Sequence, residues 1–197
     1  MGGESSNSSN STSTRETTTT TNISTVYTPI IEPIKPSRPW TERYISIKEE
    51  KALDAQFNKL KNSKMVPIHS CKYVNSKKNN WEVIFLGTEG TPYESGYFKV
   101  QLLFKEVFPE HGPEAKFITK MFHPNIASDG HVCMQLLNCW NEKTTMENIF
   151  YGIIDLLDNP VPEGGYDNDA KKELQKDYDK YMDTVEEYTE KYAHQDC

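Results

Sequence analysis

Long apolar runs are missing from this 197-residue sequence: the longest are short stretches such as Val83–Leu86 and Ile149–Leu157, the second broken by Gly152 and Asp155. Crossing a bilayer takes about 20 consecutive apolar residues, so no segment is expected to span one. A basic surplus is missing too, with 22 Lys+Arg against 29 Asp+Glu and a formal net charge of -7. Neutralising a phosphate backbone takes clustered cations, and nucleic acid is not expected as a partner. The opening MGGESSNSSN has neither the basic start nor the apolar stretch of a secretory signal. The chain is therefore expected in the cytoplasm, the nucleus or both, with its four cysteines as thiols rather than bridges.

What is present changes character along the chain. From Ser5 to Ser24, 17 of 20 residues are Ser, Thr or Asn, and only Ile23 is apolar. Such a stretch cannot offset the entropy of ordering its backbone, so residues 1–25 read as a disordered tail. Residues 26–40 carry Pro29, Pro33, Pro36 and Pro39, each of which biases its predecessor away from helix, and read as an extended connector. Met1-Gly2-Gly3-Glu4-Ser5-Ser6 fits the N-myristoylation pattern at Gly2. A membrane is a partner only if that glycine is acylated, and one acyl chain alone binds membranes marginally.

Residues 41–197 are long enough for a single core. Ser46-Ile47-Lys48-Glu49 matches a capping box, and Ile45, Ala52, Phe57 and Leu60 recur at helical intervals as far as Asn62. Strand-like runs follow at His69–Asn75, Trp81–Leu86, Tyr97–Phe104 and Glu114–Ile118, joined closely enough for an antiparallel meander. Thr144-Thr145-Met146-Glu147 is a second capping box, opening a helix that ends before Pro160. Ala170, Leu174, Tyr178, Tyr181, Val185, Tyr188 and Tyr192 step by three or four, with Met182 beside them, which predicts one long helix with a wet acidic face. Helix, meander, irregular stretch and helices together read as α+β.

The irregular stretch, Phe122 to Trp140, has no clear period, and long irregular segments inside compact domains are usually functional. It offers a thiol at Cys133, a side-chain amide eight residues earlier at Asn125, and imidazoles at His123 and His131. A sulfur nucleophile and a donor for a developing oxyanion are parts for acyl transfer through a thioester. His131-x-Cys133 with Cys139 lacks the Cys-x-x-Cys that accompanies structural zinc, so no metal and no cofactor are expected. Cys71 and Cys139 are expected as buried small hydrophobes, and Cys197 as an exposed terminal thiol.

His123-Pro124-Asn125, followed by Gly130-x-Val132-Cys133-Met134-x-Leu136-Leu137 and Trp140, resembles the active-site signature of ubiquitin-conjugating enzymes (E2s). Gly90–Phe98 looks like that family's turn between its second and third strands. Phe108-Pro109-x-x-Gly112-Pro113 and Leu156-Leu157-Asp158-Asn159-Pro160-x-Pro162 are similar to two further family segments, and the likeness covers roughly Ile45 to Tyr192. The resemblance implies a UBC-like fold and, as roles, a Cys133 that carries ubiquitin or a ubiquitin-like protein as a thioester received from an activating enzyme (E1). It implies transfer from there to a substrate lysine or an E3 ligase. An E2-variant binding module or scaffold with weak or no catalysis is the alternative.

By the same resemblance, Asn125 donates its amide N–H to the oxyanion, although an Asn can equally hold backbone. His123 and Pro124 support the active-site loop. The family often places an acid near the thiol; Gly164 stands at that position here and the adjacent Glu163 is its replacement candidate. The Cys133 to Trp140 interval is one residue shorter than the common pattern, and Glu110 stands where many members have a hydrophobe. Both differences fall in loops through which the family meets E3 ligases. By the same resemblance, the acidic balance suits ubiquitin or a NEDD8-like protein better than an acidic modifier such as SUMO.

Overall fold

The computed structural model describes residues 43–194, which lie within the unit Arg38–Cys197. The expected tail and connector, Gly2 and Cys197 lie outside the described residues.

Helix α1 spans Ile47–Lys61, and the Ser46 side chain caps it by accepting the Glu49 N–H at 3.2 Å. The reciprocal half of the expected capping box is absent. The Glu49 carboxylate instead accepts from Arg43 at 2.6 and 3.0 Å and from the Phe108 N–H at 3.1 Å, and the residue is buried. Leu53, Phe57 and Leu60 form the helix's buried stripe.

Strands β1 (Ile68–Tyr73), β2 (Asn80–Leu86), β3 (Tyr97–Leu103) and β4 (Glu114–Phe117) form one antiparallel sheet in that order, the expected meander. The β2–β3 register pairs Trp81 with Leu102, Val83 with Val100 and Phe85 with Phe98. All six are buried on one face, because alternate side chains of a strand share a face. Against that face lies a helix of 13 residues, Met146–Asp158, whose Ile149, Phe150 and Ile153 are fully buried; the Phe150 ring sits 6.0 Å from that of Phe85.

Between sheet and long helix the irregular stretch contains one helical turn, Gln135–Asn138, here α2, which makes the Met146–Asp158 helix α3. Its capping box is displaced by one residue from the expected frame: Thr145 caps the Asn148 N–H at 3.2 Å and Asn148 returns to the Thr145 N–H at 3.1 Å. Glu147 is thereby freed to pair with Lys59 of α1 at 2.7 Å.

The single long C-terminal helix expected from periodicity is two helices, α4 (Asn168–Lys176) and α5 (Tyr178–Tyr192). Asp177 breaks them. It has φ -152° and ψ 87°, ends α4 through its own N–H, and caps α5 by accepting the Lys180 N–H at 3.1 Å. Asp is a favoured N-cap residue and a poor helix-interior one, so a local capping bond outweighs continued helix at this point. No helix among the described residues is long and apolar enough to cross a membrane.

Candidate active site

After β4 the chain folds back as a tight hairpin. Ile126 bridges Val132, the Ala127 N–H donates to His131 O at 2.9 Å, and the Cys133 N–H donates to Asn125 O at 2.8 Å. The pairs 127/131, 126/132 and 125/133 keep one register. The eight-residue interval between amide and thiol is thus the length of this turn, and it sets Asn125 opposite Cys133. Residues directly opposite on antiparallel strands share a face, with Cβ atoms about 4.5–5.5 Å apart. Gly130 makes the hairpin's docking possible: its φ is +90°, and a Cβ there would lie 2.0 Å from the Phe117 carbonyl oxygen. The Phe117 N–H donates to Gly130 O at 2.8 Å, fastening the hairpin to β4.

A second segment, the loop after α3, clamps this hairpin from the other side. The Asn125 side chain reads Val161 with both ends of its amide. Nδ2 donates to Val161 O at 2.6 Å, and Oδ1 accepts from the Val161 N–H at 2.9 Å. The Pro124 carbonyl accepts from the Tyr166 and Asp167 N–H groups at 2.7 and 3.1 Å. Gly165 passes so close to that carbonyl that a Cβ would come within 2.4 Å of it.

His123 is fully buried; its Nδ1 accepts the Asn125 N–H at 3.1 Å, which leaves the proton on Nε2, 3.0 Å from Leu156 O. Burial lowers its pKa from 6.5 to about 4 despite that last bond. The imidazole is neutral and both nitrogens are engaged, which suits a brace rather than a base.

The Cys133 side chain is half-buried, its Sγ 3.9 Å from Gly164 O. It opens into a cavity of about 660 Å³. Asn125, Cys133, Cys139, Asp155, Val161 and Glu163 are among the residues that line it. Glu163 is exposed. The His131 ring is turned to Asp129 at 2.8 Å; the His131 backbone N–H, at 3.2 Å, and then that ring hold the Asp129 carboxyl below its ordinary range. Cys71 is buried in β1, where desolvation pushes its thiol up to about 12. Cys139 is exposed rather than buried as expected from sequence, because Trp140 beside it takes the inward position. The Trp140 ring packs over Gly112, 5.8 Å from that of Phe108, and its Nε1 donates to Pro109 O at 2.9 Å. Among the described residues no group of three or more His, Cys, Asp or Glu is placed to hold a metal ion.

The structure therefore brings Cys133, Asn125, His123, Pro124 and Glu163 to one place. Sequence reasoning missed Val161, Gly165 and Asp155. The signal available for Val161 was its position between Pro160 and Pro162, an extended residue with its backbone groups free to be read by a side chain.

A family model described as ubiquitin-conjugating enzyme matches residues 49–189. Ubiquitin-conjugating enzyme E2 S of Dictyostelium discoideum is 38% identical over 115 residues, covering 58% of this chain and 54% of that protein. Ubiquitin-conjugating enzyme E2 1 of Caenorhabditis elegans is 38% identical over 111 residues, covering 56% of this chain and 58% of that one. The chain thus spans little more than half the length of these two relatives. Among solved structures, the E2 domain of a Toxoplasma gondii ubiquitin conjugating enzyme superposes with a TM-score of 0.68 at 27% identity, covering 74% of this chain and 100% of that one.

Proposed function

The chain belongs to the ubiquitin-conjugating enzyme family, and from that premise we propose that it takes ubiquitin or a ubiquitin-like protein from an E1 as a thioester on Cys133 and passes it to a substrate lysine or an E3 ligase. The observation that carries the reading is a half-buried thiol opening into a cavity, fixed opposite a side-chain amide.

In the loading step the Cys133 sulfur attacks the E1-bound carbonyl, and the E1 thiolate leaves. In transfer an amine attacks, the carbonyl oxygen gains charge, and Cys133 departs as a thiolate, a good leaving group. One N–H of Asn125 Nδ2 is spent on Val161 O. The second is the donor we assign to the oxyanion. His123 and Pro124 hold the loop, and Glu163, exposed at the cavity rim, is the carboxylate we assign to orienting the incoming lysine. The site of action we propose is the cytoplasm or nucleus.

The test is incubation with E1, ATP and a panel of modifiers. A reductant-sensitive adduct that is absent in Cys133→Ala is the expected result. Failure of every modifier to charge the protein, beside a control E2 that charges, overturns the reading in favour of a binding module.

A further inference from the structure

Cys139 is exposed on the wall of the cavity that holds Cys133. One tertiary hydrogen bond lies at each end of the segment joining them. Cys133 hangs by its N–H on Asn125 O at 2.8 Å, and Trp140, next to Cys139, hangs by its indole on Pro109 O at 2.9 Å. Between them lies only the single turn of α2. Its bonds to Met134 O are long, 3.2 Å from the Leu137 N–H and 3.4 Å from the Asn138 N–H. One helical turn fixes several dihedrals for very few hydrogen bonds, so little free energy opposes its opening. Cys133 and Cys139 thus both line one cavity, at the two ends of a short segment held by few hydrogen bonds.

We infer that Cys133 and Cys139 form a reversible disulfide when a peroxide oxidises the site, with Cys139 as the resolving thiol. The Cys133 thiolate attacks hydrogen peroxide; an S–O bond forms, the O–O bond breaks, and hydroxide leaves, giving a sulfenic acid. The Cys139 sulfur then attacks the Cys133 sulfur. The S–S bond forms, the S–O bond breaks, and the departing hydroxide takes the Cys139 proton as water. Two thiols and one peroxide become one disulfide and two waters, and a thiol reductant reverses the product. A disulfide needs Cα atoms about 4.4–6.8 Å apart, so the pairing requires the α2 turn to unwind and fold back on itself. Cys71 does not compete, since it is buried in β1.

The consequence for acyl transfer rests on the reading of Cys133 given above, whereas the bond itself is detected with no modifier present. The full-length chain is treated with hydrogen peroxide under native conditions and mapped by non-reducing peptide mass spectrometry. The expected product is a Cys133–Cys139 linked peptide, lighter by two hydrogens and reversed by dithiothreitol. Charging by E1 is lost on oxidation and returns on reduction to within about twofold of the untreated protein. In Cys139→Ser the same dose carries Cys133 to sulfinic and sulfonic acids. Charging after reduction then stays about tenfold or more below that variant's own untreated level, since those acids do not revert. Overoxidation of Cys133 in the natural chain as fast as in Cys139→Ser overturns the inference, as does a bond to Cys197 or to a second copy. A linked peptide in a protein that no E1 charges upholds the pairing and sinks the proposed function alone.

Discussion

Asn125 commits most of its side chain to backbone rather than to the thiol opposite. Asn125→Ala removes both bonds to Val161. Leaving those backbone groups unpaired is expected to lower stability by about 1–3 kcal/mol in chemical denaturation. The two readings of Asn125 separate kinetically. If its second N–H meets the oxyanion, discharge of the thioester to free lysine falls on the order of a hundredfold beyond any change in loading; a purely structural role lowers both steps in proportion. His123 gives a pH prediction of definite sign. Its folded pKa, about 4, lies below its ordinary 6.5, so the unfolded chain binds the proton more readily between those values. Its contribution is therefore full above pH 6.5 and is lost progressively as pH falls towards 4. The loss at pH 5 is about 2 kcal/mol. Urea denaturation at pH 7 and pH 5 should show a smaller acid loss in His123→Gln than in the natural chain; an equal loss refutes the assignment.

At the scale of elements, what was legible in the sequence is what is decided locally. The alternation in β2 and β3 announces a half-buried sheet because each strand's faces differ. The Asn125 to Cys133 interval is readable because a hairpin's loop length sets its register. Three features were not. Glu49 looks like half of a capping box, but its burial is decided by a loop 59 residues away that offers the Phe108 N–H. Val161 is chosen by a partner 36 residues distant: its flanking prolines mark it as extended, but nothing local says which side chain reads it. The α4/α5 break is hidden because the apolar spacing runs through it unchanged, while the cap that causes it sits on one exposed residue. Asp177→Ala is accordingly expected to cost about 1 kcal/mol by loss of the α5 cap, and Asp177→Asn far less, since Asn also accepts at that position. A thermal melt of the two variants checks this, at about 2–4 °C per kcal/mol for a domain of this size.

Across the whole molecule, one chain of contacts ties the start of α1 to the active segment. Arg43 donates to the Glu49 carboxylate and, through Nη2, to Glu106 O at 2.9 Å. Glu49 accepts the Phe108 N–H, and Pro109 O, one residue on, accepts from the Trp140 indole that closes the segment begun at Cys133. The two partners of the ion pair are unequally placed: the Glu49 side chain is 3% exposed and that of Arg43 19%. Removing one partner of a buried pair strands the other's charge, and the penalty follows how deeply the survivor is buried. Arg43→Met leaves a nearly inaccessible carboxylate with the Phe108 N–H as its remaining partner in this chain of contacts. The expected cost is about 3 kcal/mol or more. Glu49→Gln leaves a guanidinium that still reaches solvent and Glu106 O, and an amide whose oxygen still accepts from Phe108, so its cost is expected to be smaller. Denaturant titration of the two variants measures this order, and hydrogen exchange at Phe108 should accelerate more in Arg43→Met. The reverse order, with Glu49→Gln the more damaging, would mean that the carboxylate is held by packing and backbone alone and that the arginine contributes little to the coupling.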